Sequence, residues 1–204
     1  MSFTDLAVLL APHGLRTLGD CPDGDCTITL IGPAEPAFWG VFRDSPEYND
    51  GTPNPMDRWS ARVLSAVAHD LEAEALFPFG GPPYSPFFTW AKKSGRFWAS
   101  PIGFLVHEEA GLFVSFRGAI RWHTTPQLGD APQPCLTCAG QPCATACPVG
   151  AFNDGYDVAA CKAHVGSEAG TDCRTGGCLA RRACPVGQGS RLPAQAAFHM
   201  EAFL

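Results

Sequence analysis

Apolar residues recur at four-residue spacing through one long stretch of the chain, at Trp59, Val63, Val67 and Leu71. A period near that of the α-helix places them on one face. Arg58, Arg62, His69 and Glu72 fall on the other, where His69 reads as solvated rather than as a ligand. Asn54 as N-cap and Pro55 at the first helical position start this helix, and the pattern carries it from about Pro55 to Leu76. Upstream, Leu6, Leu9 and Leu10 mark a short helix capped by Ser2 or Thr4 and ended by Pro12 and Gly14. Leu15 to Leu18 and Thr27 to Ile31 read as strands joined by an Asp23-Gly24 turn. Cys21 and Cys26 flank that turn and read as structural or surface thiols. Phe38, Trp39, Val41 and Phe42 suggest a short apolar helix, and the stretch from Ser45 to Pro55 a loop.

Further on, the prolines and glycines of FPFGGPPYSPFF (Phe77 to Phe88) interrupt any helical ladder, so an aromatic loop is expected. A short helix over PFFTWAKKSG follows and stops at Gly95. Ile102 to His107 and Leu112 to Phe116 then predict a hairpin turned by Glu108, Glu109, Ala110 and Gly111. RGAIRW leads into a polar, proline-containing linker from Thr124 to Pro134. The elements predict an α+β fold in two parts, residues 1–128 and residues 129–204.

The second part is where the cysteines concentrate. Eight of ten lie between Cys135 and Cys184. The first half spaces them C-x2-C-x4-C-x3-C-P (Cys135, Cys138, Cys143, Cys147, Pro148), and the second C-x11-C-x4-C-x5-C-P (Cys161, Cys173, Cys178, Cys184, Pro185). Both halves end in ACPVG. A bacterial ferredoxin run has three close cysteines and a fourth before proline, and that fourth ligates the other cluster of a two-cluster protein. On that rule Cys135, Cys138, Cys143 and Cys184 hold one [4Fe-4S] cluster, and Cys161, Cys173, Cys178 and Cys147 the second. Short cysteine spacings also make zinc sites, and cysteine-dense secreted chains make disulfides. Neither alternative explains the doubled Cys-Pro or the small residues that let backbone amides approach cluster sulfurs.

At 204 residues, with 46% hydrophobic and 17% charged, the chain has material for a core well beyond a bare ferredoxin. The formal net charge of -6 argues against a nucleic-acid partner. Fourteen of the twenty acids precede residue 128, so a solvated acidic face, or a docking surface for a basic redox partner, belongs to the first part. MSFTDLAVLLAPHG has an acid and no basic residue before its short apolar run, unlike a signal peptide. No later run is long enough to span a bilayer. The expectation is a cytoplasmic protein away from the membrane, in a compartment that keeps thiols reduced.

PFFTWAKKSGRFWASPIGFLVHEEAGLFVSFRGAI, followed closely by the cysteine module, resembles the order found in epoxyqueuosine reductases across roughly residues 86 to 188. In that family a Trp-Ala helix, a glycine-rich joint and a strand hairpin precede a ferredoxin-like domain with two [4Fe-4S] clusters. The resemblance implies a flavin-reductase-like (nitroreductase-like) α+β first domain that binds cobalamin, a scaffold related to that of the cobalamin-processing decyanase of animals. Two departures matter. The family keeps a catalytic aspartate shortly before the Trp-Ala helix, whereas no Asp or Glu stands between Glu74 and Glu108 here, only Tyr84 and Ser85 near that position. The family's helical-repeat extension is also missing, with twenty residues after Cys184. Reduction of modified tRNA is therefore not expected.

Two functions remain from different classes. In one, an oxidoreductase passes single electrons from an electron-donor protein through the clusters to a corrinoid or flavin held against Phe79, Tyr84, Phe87 and Trp90 and the following hairpin. In the other, the chain is a ferredoxin-type carrier whose first domain only docks partners, and those aromatic residues are core. No GxGxxG fingerprint follows a strand, and no nucleophile-base constellation is visible.

Overall fold

The computed structural model describes residues 3–188 and 192–204. In chain order its elements are α1 (Phe3–Leu10), β1 (Leu15–Asp23), β2 (Cys26–Pro33), α2 (Ala37–Arg43), α3 (Pro46–Asn49), α4 (Pro55–Asp70), β3 (Glu74–Leu76), α5 (Phe87–Lys93), β4 (Phe97–Ala99), β5 (Leu105–His107), β6 (Gly118–Trp122), α6 (Val158–Gly166), α7 (Thr171–Gly176), α8 (Leu179–Arg182) and α9 (Pro193–Phe203). The mixture is α+β, as the pattern of elements predicts. The chain divides into two compact units, Met1–Phe97 with Ser115–Ala131, and Trp98–Val114 with Pro132–Leu204. The segment Trp98–Val114, assigned to the first part from sequence, belongs to the cysteine-bearing unit.

The first unit is built on a four-stranded antiparallel sheet in the order β1-β2-β6-β3. The β1–β2 hairpin closes on Gly24, whose φ of 60° is a conformation glycine adopts without a Cβ clash. Thr27 to Gly32 of β2 are all buried, and because alternate side chains point to opposite faces, the sheet is covered on both sides. The predicted stripe Trp59, Val63, Val67 and Leu71 is buried, while His69 is exposed. Trp59 meets the rings of Phe38 and Phe42 edge-on, with centroids 5.5 and 5.8 Å away. Across the sheet centre runs a buried polar chain. Trp122 Nε1 donates to Thr29 Oγ1 (3.0 Å), the Thr29 hydroxyl donates to Asp20 (2.8 Å), and the N–H of Gln127 donates to the other Asp20 oxygen (2.9 Å).

Several expectations need correction. Helix α4 stops at Asp70 rather than Leu76, because Glu72 turns left-handed (φ 52°) and Glu74–Leu76 is drawn into the sheet beside β6. Asn54 does precede the helix, but it is itself left-handed and makes no side-chain cap. Arg58 steadies that turn instead, with its guanidinium on both oxygens of Asp50 (2.8 and 2.7 Å) and its Nε on Pro53 O (3.0 Å). The supposed loop from Ser45 contains α3, capped by Ser45 Oγ accepting the Tyr48 N–H and pinned by Tyr48 packing on Phe42. The capping expected at Ser2 or Thr4 lies outside the described residues and side chains. Of the aromatic loop, Phe87 and Phe88 already belong to α5, which ends before Gly95 (φ 73°) as expected.

In the second unit β5 pairs with β4, not with Leu112 to Phe116. His107 Nδ1 accepts the N–H groups of Glu109 and Ala110 (3.1 Å each) and closes the turn after a single bridge to Gly111. Beyond it the Leu112 carbonyl is taken by Arg181 Nε (2.6 Å), and that of Val114 by Arg181 Nη2 (3.5 Å), so this arm does not continue as a strand. Ile102, Val106, Leu112 and Ala180 form an apolar core with the buried thiols of Cys143 and Cys184. No helix among the described residues is long and apolar enough to cross a membrane.

Candidate metal centre

Tight turns present the cysteines of the first half. Pro134 and Pro142 open short 3-10 turns that carry Cys135 and Cys143, and Gly140 and Gln141, both with positive φ, reverse the chain between them. Cys147 begins the first CPVG, where the left-handed Gly150 folds the chain back and the Ala151 N–H reaches the Cys147 sulfur at 3.3 Å. The second half uses helices. Cys161 lies on α6, which Asp157 caps by accepting the Ala160 N–H (2.9 Å), Cys173 lies on α7, and Cys178 occupies the N-cap of α8. Backbone N–H groups around Cys178 and Cys173 work against the rise that burial imposes on their thiols.

All ten cysteines are free thiols. Burial pushes the Cys143 thiol up, and the charges that add to the effect are those of Cys135, Cys184 and Cys138. Cys135 is raised by burial too, then by Cys184 and Cys138. In the other group, burial raises Cys173 most, and Asp172, Cys147 and Cys161 add to it. Cys178 is raised by burial, against its N–H donors and Arg181, with Cys173 as the opposing thiolate. Tyr156 is pushed up by burial, by its hydrogen bond to Cys161 and by the charges of Cys161 and Cys178. Cys135, Cys138 and Cys184 thus act on Cys143, and Cys147 and Cys161 on Cys173, while Cys135, Cys147 and Cys178 pack against the one apolar core that buries Cys143 and Cys184.

Among the described residues no group of three or more His, Cys, Asp and Glu could hold a metal ion. A [4Fe-4S] cube makes a different demand, since each of its four irons takes its own thiolate. Eight thiols, half-buried or buried, suit two such cubes in number and chemistry, and the Cys147 sulfur accepts the Ala151 N–H.

Each residue expected to wall a cofactor has a defined setting. Phe87 is buried against Trp90 and Phe116, with centroids 5.1 and 5.6 Å away, Phe79 stacks on Phe77 at 5.2 Å, and Tyr84 is 67% exposed. Cys21 is buried in β1, whereas Cys26 faces His123, with sulfur and Nδ1 3.6 Å apart. Sequence reasoning passed over two residues that pack on Phe104, Arg181 and Tyr156. Their only signal was a paired arginine before ACPVG and a tyrosine five residues ahead of Cys161. No family model matches the chain, and no curated protein matches it in sequence.

Proposed function

We propose that this chain is an iron-sulfur redox protein whose second unit holds two [4Fe-4S] clusters by crossed ligation. One is bound by Cys135, Cys138, Cys143 and Cys184, the other by Cys147, Cys161, Cys173 and Cys178. The observation that supports the reading is the gathering of Cys135, Cys143, Cys147, Cys178 and Cys184, from both halves of the sequence, around one apolar core, with Cys184 acting on Cys143 and Cys147 on Cys173. Bound clusters supply one-electron transfer. The protein's share is to bury the thiols, direct backbone N–H groups at sulfur, and pack Ile102, Val106 and Leu112 against them to limit water. On this reading the second unit is ferredoxin-like and the first a flavin-reductase-like scaffold. An electron-donor protein supplies electrons, and the recipient is a corrinoid or flavin on the first unit, in a cytoplasmic oxidoreductase that engages neither nucleic acid nor membrane.

Anaerobic reconstitution tests the centre directly: about eight iron and eight sulfide per chain are expected. Zinc at one or two per chain without iron uptake overturns it. A second reading, a carrier whose first unit only docks partners, is favoured by the use of Phe87, Phe97 and Phe116 as mutual packing. Titration with cobalamin and with flavin mononucleotide separates the two, because a carrier binds neither.

A further inference from the structure

We propose that Cys26, in the first unit, is a site of reversible oxidation by hydroperoxides, with His123 as the acid-base partner of its thiol. The inference stands apart from the cluster reading, because Cys26 is not among the eight thiols proposed as ligands.

The strand ladder brings the pair together. Strand β2 sets Thr27 opposite Trp122 of β6, so the next residues outward along the two chains are Cys26 and His123. Alternation turns both away from the face that carries the buried Trp122. Two bonds hold this end of the ladder, Thr27 Oγ1 donating to the Thr124 carbonyl (2.6 Å) and Trp122 Nε1 donating to Thr29 Oγ1 (3.0 Å). The backbone of His123 is thus fixed on both sides. Its ring lies against the sulfur, with Nδ1 3.6 Å and Nε2 3.9 Å from Cys26 Sγ. Nδ1 also lies 3.3 Å from the Asp25 carbonyl. A carbonyl oxygen only accepts, so Nδ1 carries the proton of the neutral ring and Nε2 keeps its lone pair for the thiol. A nucleophile, a base and a third group that orients the base are the parts of an activated thiol, and such contacts are often long before a reactant arrives.

The surroundings select the oxidant. Arg121 shares this face, opposite Ile28, but its guanidinium is engaged by Asp23 (2.8 Å) and Glu74 (3.5 Å), which leaves His123 to carry the proton. Acids at the turn repel an anionic oxidant such as glutathione disulfide, whereas a hydroperoxide is small and uncharged. Cys26 is half-buried and reachable, while Cys21 is 1% exposed and its thiol donates to the Pro22 carbonyl.

In the reaction the thiol proton passes to Nε2 and the sulfur attacks one peroxide oxygen. An S–O bond forms and the O–O bond breaks. Sulfur gives up two electrons to the peroxide, and the leaving oxygen takes the proton from Nε2 and departs as water or an alcohol. The product is a sulfenic acid on Cys26. Cys21 stands opposite Ile28 and Cys26 opposite Asp23, a diagonal relation that sets their Cα atoms about 7–8 Å apart, beyond the usual span of a disulfide. A low-molecular-weight thiol therefore condenses with the sulfenic acid and releases water, and a second such thiol frees Cys26 as the small disulfide leaves.

The test treats the full-length protein with limiting hydrogen peroxide in the presence of dimedone, which traps sulfenic acids, and reads each cysteine by peptide mass spectrometry. Cys26 is expected to label faster than Cys21, and His123→Gln should slow it about tenfold or more while Cys21 stays protected. Should His123→Gln unmask Cys21 and so report unfolding, wild type in urea decides instead. There Cys26 is parted from His123 and should label about tenfold more slowly than in the native protein, although it is then fully exposed. A smaller fall in the comparison that applies, or labelling of Cys21 ahead of Cys26 in native wild type, overturns the inference. The mapping reads each cysteine separately, so the fate of the eight thiols of the second unit, and with it the cluster reading, is scored apart from Cys26.

Discussion

Cys184 lies within electrostatic reach of Cys143 and opposes its ionisation, although the two come from opposite halves of the cysteine segment. Both are buried in one apolar core with Ile102, Val106 and Leu112. The chain thus folds back so that the cysteine of its last ACPVG shares a core with one from the first half of the segment.

That closure predicts which substitutions resemble each other. Cys184→Ser and Cys138→Ser should abolish the same paramagnetic signal, and Cys147→Ser and Cys173→Ser the other, each lowering iron from about eight to about four per chain. Loss of one signal by Cys138→Ser and Cys147→Ser together would mean that each half binds its own cluster.

Asp20 predicts a pH dependence in the first unit. Burial, its largest influence, raises the carboxyl above its ordinary value despite the Gln127 and Thr29 hydrogen bonds. The folded state therefore holds this proton more tightly than the unfolded one. Its contribution is fully present below the ordinary aspartate range and is lost as pH rises through the raised value. Urea melts of wild type and Asp20→Asn between pH 3 and about pH 8 should show the wild type losing ground as pH rises. Asp20→Ala should cost about 1–3 kcal/mol by leaving buried donors unpaired.

Trp59 is 2% exposed at the junction of α2 and α4, against Phe38 and Phe42. Trp59→Ala should destabilise by about 3–5 kcal/mol, read from the denaturation midpoint at constant slope.

For the proposed organic cofactor, Tyr84 and Phe87 give separable outcomes. Tyr84→Ala removes an exposed ring and should weaken cobalamin or flavin binding with little change in melting temperature. Phe87→Ala should lower the melting temperature, because its ring packs on Trp90 and Phe116. Unchanged binding in Tyr84→Ala would remove that ring from the site.

The sequence by itself determined whatever depends on local spacing. The stripe from Trp59 to Leu71 specified a helix and its buried face, and Asp23-Gly24 specified a hairpin, since period and turn chemistry act over a few residues. The Cys-Pro repeats likewise named the eight thiols and the order in which ferredoxin-type spacing would share them. Tertiary structure decided what depends on competition between distant groups. Glu74–Leu76 left the helix because β6 offered backbone partners, and Leu112 to Val114 left the expected hairpin because Arg181, far along the chain, took their carbonyls. The packing of Arg181 and Tyr156 on Phe104 was equally invisible in the sequence, because neither helical period nor cysteine spacing encodes which side chains a distant loop will meet.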